Sequence, residues 1–338
     1  PHKGKLYVLG EERGFCTNAF VLIPYQNPSV STPTPRYFPI EDVKEIELEQ
    51  AEVNSGHINI RARYSKKHYL EKVQAIKTHI QFGNIYEINF CMDFFAENSP
   101  LDPLGTFLKL QQRAKAPYAA LVKIGPEYIL CASPELFLKK TGHTLITKPI
   151  KGTAPRGQTS EDDLKFKTTL QYSAKERTEN VMAVDVARND LSVFASRASV
   201  KVDKLFGIES FETVHQMVST ISCTVPEDVS FEQIIKATFP MASMTGAPKQ
   251  MAMNLIDEFE DFERQYYSGS FGLLDKEGDF ELNVVIRSMF YNSKTKNLHF
   301  AVGGAITYLS DPEEEYQECL LKAKGLLHVL STSHDFHN

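Results

Sequence analysis

The sequence predicts an α+β protein, and three observations carry that prediction. Strand-like and helix-like segments interleave along the whole chain, with strands in both halves. No internal repeat and no low-complexity linker divides one half from the other. The length of 338 residues, with 42% hydrophobic and 24% charged, is enough for a sizeable core in an ordinary soluble protein. The expectation is a single compact, intertwined unit over residues 1–338.

Taken in order, residues 6–9 and 18–24 are short apolar runs with turn residues between them, and predict strands. Residues 26–36 carry Pro28, Pro33 and Pro35 among Ser and Thr and predict a loop. Residues 58–64 alternate as a strand does. Ser65 is a candidate cap for a helix over 68–81, with Phe82-Gly83-Asn84 as its stop. Strand character returns over 85–95, helix over 104–114, and paired strands over 119–124 and 128–132 around Gly125-Pro126. The alternation from 136 to 146 predicts one further strand. Ser160 is a candidate cap for a helix running with little interruption to about Asp185, and Asp162 and Asp163 suit its positive first turn. Strands are expected over 200–205, 215–223, 284–291 and 298–306. Helices are expected over 231–237, 249–259 and 312–330, the last capped by Asp311.

The net charge of −6, with no basic block, argues against a nucleic-acid partner. No apolar run reaches membrane-spanning length, so no membrane partner is expected. The first residues lack the apolar core of a secretion signal, and the absence of an initiator Met is consistent with a processed end. Cys16, Cys91, Cys131, Cys223 and Cys319 are scattered, with no Cys-x-x-Cys pair. They suggest neither a zinc site nor a disulfide framework, but free thiols in a reducing cytoplasm.

The chemistry centres on 147–157, where Pro149 and Pro155 stiffen the backbone around Lys151 and Gly152 permits a turn or a close approach. Two readings fit Lys151: a side chain that snorkels to water, or a partly desolvated amine with lowered pKa. The glycine spacing of a phosphate-binding loop is missing. Glu176 and Glu179 lie three apart, as do Glu315 and Glu318, so each pair shares one helix face. Either pair alone fits a solvated surface. Each, however, is followed by an apolar run, and carboxylates entering a buried zone need a cation, for which all-oxygen ligands suit Mg²⁺. Glu135 is either an exposed strand-end acid or functional. His215 is either a satisfied core histidine or catalytic. Arg287 ends an apolar run and needs an anion, internal or substrate. Gly303-Gly304 is either an anion-binding pair of backbone N–H groups or a plain turn.

These pieces stand in a long ordered series. It includes Gly83 to Asn89, Ser133 to Phe137, Pro149 to Gly157, Glu176-Arg177-Thr178-Glu179-Asn180 and Val184 to Asp190. It continues through His215-Gln216-Met217-Val218-Ser219, Thr245 to Lys249, Ile286-Arg287 and Glu315-Tyr316-Gln317-Glu318. In this the sequence resembles the chorismate-utilising enzymes. The resemblance covers about 65–330, the family core, with 1–64 a short N-terminal part. It implies antiparallel β-sheets packed face to face with helices outside. It also implies Mg²⁺ held by Glu179 and Glu318, supported by Glu176 and Glu315, and gripping the ring carboxylate of chorismate. Arg287, Tyr267, Gly303 and Gly304 would bind the enolpyruvyl carboxylate, and Thr153, Thr245 and Gly246 would also contact substrate. Glu135 would be the general acid for the departing ring hydroxyl, with His215 near that hydroxyl.

Lys151 selects the branch. Members resembling aminodeoxychorismate synthase component I read Pro-Ile-Lys-Gly-Thr, whereas the anthranilate and isochorismate branches usually have Ala at the lysine. The implied activity is conversion of chorismate and ammonia to 4-amino-4-deoxychorismate, toward p-aminobenzoate and folate. With no glutaminase or lyase motif in the sequence, the expected partner is a separate glutamine amidotransferase subunit that supplies ammonia. Anthranilate synthase component I, or a catalytically silent binding subunit of the same fold, are the alternatives. Glu87 departs from the Gln usual in amino-transferring members, and Met241-Ala242 from the usual Gly-Gly. Ala305, Thr307 and Leu309 also depart from the pattern, and all of these bear on the ammonia path and the pocket.

Overall fold

The structure, a computed structural model, describes residues 2–27, 33–48 and 58–330. The N-terminal part contains β1 (His2–Leu9), β2 (Ala19–Ile23), β3 (Arg36–Leu48) and β4 (Arg61–Ala62). Then come α1 (Lys66–Gln81), β5 (Glu87–Ala96), α2 (Pro103–Ala114), β6 (Tyr118–Ile124), β7 (Glu127–Ser133), β8 (Leu136–Thr141), β9 (Thr144–Thr147) and β10 (Ile150–Pro155). The middle holds α3 (Ser160–Tyr172), α4 (Ala174–Ser192), β11 (Lys201–Ser210), β12 (Val214–Thr224) and α5 (Phe231–Thr238). The last part holds β13 (Gly246–Ala247), α6 (Lys249–Phe259), β14 (Ser270–Leu274), β15 (Phe280–Asn283), β16 (Ser288–Asn292), β17 (Asn297–Thr307) and α7 (Pro312–Leu327).

The strands form two antiparallel sheets. The larger runs β1-β3-β2-β14-β15-β8-β9-β12-β10, with β11 also on β12; the smaller runs β13-β5-β17-β16-β7-β6, with β4 also on β5. The chain crosses between the sheets repeatedly, so neither is built from one continuous stretch. Phe20, Leu22, Phe271 and Leu282 of the larger sheet share one apolar cluster with Cys91, Ile129 and Phe290 of the smaller, which puts the sheets face to face. A second cluster packs α1, α2, α6 and α7 on the other face of the smaller sheet. β5 shows why. Its side chains alternate, so Ile88, Phe90, Met92 and Phe94 meet the helices while Cys91 turns to the facing sheet. Glu87 and Asn89 share the face of Cys91. The α+β class and the face-to-face sheets agree with the sequence analysis.

Several local expectations are corrected. The run 136–146 is a hairpin, β8 and β9, turning at Gly142 with φ 57°. The expected long helix breaks at Ser173, which ends α3 and caps α4; its hydroxyl accepts from the Glu176 N–H. The α3 cap is Thr159 rather than Ser160. Of 284–291 only 288–291 is strand, within β16; 284–287 is irregular, with Arg287 left-handed at φ 53°. Of 58–64 only Arg61–Ala62 pairs as strand, and Lys151 itself lies on a strand, β10. β3, β13, β14 and β15 had no predicted counterpart. Residues 28–32 of the expected loop lie outside the described residues. The helix caps Ser65 and Asp311 are as expected.

Phe94 and Phe300 stack across β5 and β17, with ring centroids 5.1 Å apart and planes 9° apart, and both are fully buried. Phe300→Ala is expected to destabilise by about 3–5 kcal/mol through lost packing and a residual cavity. A urea titration followed by circular dichroism measures the shift in midpoint.

Candidate active site

Between the sheets, and closed by α4 and α7, lies a cavity of about 640 Å³. Glu135, Lys151, Glu176, Glu179, Glu315 and Glu318 all line it, as do Thr153, Tyr267, Arg287, Gly303 and Gly304. Positions distant in sequence thus meet at one site.

Lys151 projects from β10 and its Nζ donates to Glu87 Oε1 at 2.6 Å, with both side chains buried. Burial pulls the amine pKa down, but Glu87, Glu179 and Glu135 outweigh it and hold it above its ordinary value. The sequence expectation of a lowered pKa is corrected for this state: the amine is an ammonium, tied to a carboxylate. Gly152 beside it has φ 90°, and a Cβ there would stand 2.7 Å from Glu176 Oε2. Only glycine lets β10 and the Glu176 carboxylate approach this closely.

Glu135 follows Ser133-Pro134 and is buried, with the Ile150 N–H donating to Oε1 at 3.5 Å. Burial lifts its pKa to about 7, against the opposing pull of Ser243, Ile150 and Lys151. Glu179 is buried on α4 with Oε1 unpartnered, and burial raises its pKa to about 7 as well. Two hydrogen bonds fix that helix: Ser219 Oγ to Asn180 Oδ1 at 2.5 Å, and Lys249 Nζ to Asp190 Oδ2 at 2.5 Å. On α7, Glu315 pairs with Lys175 at 3.1 Å and Glu318 with Lys322 at 2.7 Å. Burial would raise the Glu318 pKa, but Lys322, Lys175 and Lys151 bring it below the ordinary value.

Among the described residues, no three His, Cys, Asp or Glu side chains are grouped closely enough to hold one metal ion. That still suits Mg²⁺, which commonly takes one or two carboxylates and completes its shell with water and substrate oxygens. The four glutamates and the orphaned Glu179 oxygen fit such a hard cation.

Arg287 leaves β15 and β16 in a left-handed conformation and has no side-chain hydrogen bond or ion pair among the described residues. Burial lowers its pKa, against Tyr267 and Glu318. An unpaired, half-buried guanidinium lining the cavity is matched to an anionic ligand. Gly303 and Gly304 lie within β17 rather than in a turn, and the Gly303 carbonyl accepts from Lys322 Nζ at 2.6 Å. The missing side chains leave the cavity floor open, since a Cβ at Gly304 would stand 3.1 Å from Glu315 Oε2.

Three expected residues do not reach the cavity. His215 faces the opposite side of β12, where Nε2 meets Asp163 Oδ1 at 3.0 Å and Nδ1 meets Ser210 Oγ at 2.8 Å; it is a satisfied core histidine. Its neighbour Gln216 faces the cavity instead. Thr245 is buried with its hydroxyl donating to the Met241 carbonyl, and Gly246 pairs with Ile88, where a Cβ would stand 2.2 Å from the Glu87 carbonyl. They back β5 next to Glu87: the Thr245 carbonyl accepts from the Asn89 N–H, and Gly246 pairs with Ile88. Sequence reasoning also missed Lys175 and Lys322 as the cations among the glutamates. Lys322 is four residues from Glu318, a spacing that predicts the pair.

In the metal-free protein, Glu135 carries a proton up to about pH 7, whereas in the unfolded chain it loses it near pH 4.5. The raised folded pKa means this contribution is fully present below pH 4.5 and fades as pH rises through 7. Glu135→Gln is expected to remove up to about 3 kcal/mol of that pH dependence. Denaturant midpoints measured from pH 4.5 to 8 for both proteins give the result.

Fold and cavity together define a two-sheet α+β protein built around a charge-lined cavity. The chain belongs to the chorismate binding enzyme family, whose pattern it matches over residues 26–328. It is 40% identical over 264 residues to the chloroplastic aminodeoxychorismate synthase of Arabidopsis thaliana, covering 77% of this chain and 28% of that protein. It is 36% identical over 270 residues to aminodeoxychorismate synthase component 1 of Escherichia coli (strain K12), covering 80% of this chain and 59% of that one. Anthranilate synthase component 1 1 of Haloarcula marismortui is 33% identical over 283 residues, covering 84% of this chain and 57% of that one. The chain therefore spans less than two thirds of the length of these relatives. The crystal structure of anthranilate synthase component I from Streptococcus pneumoniae TIGR4 superposes with a TM-score of 0.80 at 23% identity. It covers 91% of this chain and 80% of that one, and establishes the shared fold. No described helix is long and apolar enough to cross a membrane.

Proposed function

We propose that the chain converts chorismate and ammonia to 4-amino-4-deoxychorismate, as the chorismate-using component of an aminodeoxychorismate synthase. The observation that carries this is Lys151, a buried amine in the same cavity as Glu135, Arg287 and the four glutamates. An enzyme that only adds ammonia once to the ring needs no amine at that point. Relatives named aminodeoxychorismate synthase support the reading over the anthranilate branch. The intact set of charged groups supports an enzyme over a silent binding subunit.

In this reading Arg287 and Tyr267 hold the enolpyruvyl carboxylate, with Gly303 and Gly304 giving it room. Glu179 and Glu318 would hold Mg²⁺, with Glu176 and Glu315 around it. Bound there, the ion would grip the ring carboxylate and withdraw electron density from the conjugated ring. Lys151 must lose a proton before it attacks, and Glu87, 2.6 Å away, is placed to take it. The lysine nitrogen then forms a bond to the ring carbon next to the carboxylate-bearing carbon, the double bonds shift, and the hydroxyl leaves. Glu135 supplies the proton that makes it water, a role suited by a pKa of about 7. Ammonia then forms the C–N bond at the carbon that bore the hydroxyl, and the lysine departs. Two substitutions leave nitrogen para to the carboxylate; one would leave it ortho. A separate glutamine amidotransferase subunit would supply the ammonia.

Purified protein incubated with chorismate, Mg²⁺ and ammonium is expected to form 4-amino-4-deoxychorismate, identified by mass spectrometry and NMR, with glutamine alone inactive. Lys151→Ala is expected to lose this product by at least about 100-fold, with any residual product ortho-substituted. Unchanged 4-amino product from Lys151→Ala would refute the covalent route. Glu179→Gln and Glu318→Gln are expected to weaken the Mg²⁺ titration by at least about tenfold while the melting temperature stays near wild type. An unchanged titration in either variant removes it from the metal site.

A further inference from the structure

We propose that a second cavity, adjoining the first, is the passage through which the anionic substrate enters and the anionic product leaves. This rests on the function proposed above and concerns residues outside the predicted site. The passage has a volume of about 190 Å³. Its inner end is shared with the main cavity, through Pro134, Thr153, Val214, Arg287 and Lys322. Its outer end is formed by Arg113 in the last turn of α2, Lys115 just beyond that helix, and Pro117, all exposed. Another wall is the last turn of α7, where Gly325 stands. A Cβ at Gly325 would meet nothing beyond its own helix within 4 Å, so the space beside it is open.

Charge decides what such a passage carries. Arg113, Lys115, Arg287 and Lys322 line it, and among the described residues no Asp or Glu does. The main cavity, by contrast, carries Glu135, Glu176, Glu179, Glu315 and Glu318 on its walls. Chorismate is a dianion, and the chain as a whole has a net charge of −6. A dianion arriving from the side of α4 would meet Glu176 and Glu179. Along the passage it meets only cations and ends at Arg287. An opening lined by one sign of charge concentrates ligands of the other sign and speeds their association. Arg113 has no carboxylate partner among the described residues; its guanidinium donates to His328 Nδ1 at 3.2 Å. Lys115 is paired with Glu212, on the turn between β11 and β12. Phe211 and Thr213, on either side of Glu212, line the passage, so this pair ties α2 to that turn at the outer end. Glu212 also offsets part of the positive charge there. The amino product keeps both carboxylates and can leave by the same route.

The test reads association and release of chorismate by stopped flow, with Mg²⁺ and without ammonium, at low and high ionic strength. Arg113→Glu combined with Lys115→Glu is expected to slow association by about tenfold at low ionic strength, a difference that vanishes near about 0.5 M salt. Glu212→Gln is expected to speed association by about twofold. Gly325→Leu puts a side chain into the open space. It is expected to slow association and release alike by about tenfold, with the dissociation constant unchanged, because a narrowed route raises the same barrier in both directions. Leucine is a better helix former than glycine, which favours folding of this variant. If it does not fold, Ala116→Phe narrows the passage from another wall and carries the same comparison. Unchanged rates in the folded plugged variant, or charge reversal without effect at low ionic strength, overturns the passage. Weaker binding with an unchanged association rate makes the second cavity part of the binding site, and overturns it too. Slower use of ammonium at saturating chorismate, with the chorismate rates unchanged, assigns the cavity to ammonia and overturns it as a route for the anion. Each of these leaves the proposed function standing. Failure of wild type to bind chorismate at all overturns the proposed function, and the passage with it.

Discussion

The ion pair between Lys151 and Glu87 joins the two sheets at the cavity wall. Lys151 stands on β10 of the larger sheet and Glu87 on β5 of the smaller. Both are taken almost wholly out of water, so each needs the other: a buried charge without its partner would cost several kcal/mol. Breaking the pair by truncating one side chain would leave the other stranded between packed sheets. The pair also sets the resting protonation of the site, because its carboxylate and two further glutamates keep the amine charged despite its burial.

The surroundings serve that arrangement. Gly152 keeps β10 slim enough for Glu176 to approach, and Gly246 does the same behind Glu87. Ser173 breaks what would otherwise be one long helix, so that α4 starts afresh with Glu176 and Glu179 on its cavity face. Asn180 and Asp190 then bind that helix to β12 and to Lys249. On the opposite side α7 brings Glu315 and Glu318 in, and Lys175 and Lys322 balance part of the negative charge. The left-handed backbone at Arg287 lies just before β16, and the bend lets an arginine of an apolar segment reach the cavity. A non-glycine residue in that region costs of order 1 kcal/mol or more and is held there by the packed strands on either side.

Much of the fold was legible in the sequence, because local chemistry controls it. Ser65 and Asp311 cap helices through their own side chains, and β5 and β17 alternate in the period of a strand facing two different layers. The ordered series of motifs carried most of the cavity, since Glu135, Lys151, Arg287 and the glutamate pairs are residues whose types are tied to their chemistry. Sequence also determined that each glutamate pair shares a helix face, which follows from helical periodicity alone.

Tertiary structure decided the rest. Whether Ser173 lies inside a helix or between two depends on where α4 must point, and either conformation is locally acceptable. The direction of the Lys151 pKa depends on how many carboxylates crowd it from other elements, which no local spacing reports. The choice between His215 and Gln216 turned on strand registry: adjacent residues face opposite sides, and only the pairing of β12 with β10 and β11 tells which side is the cavity. Sequence therefore determined which groups the protein carries and the secondary structure that bears them. The packing of two interleaved sheets determined which of those groups meet, because their encounter depends on contacts between residues far apart along the chain.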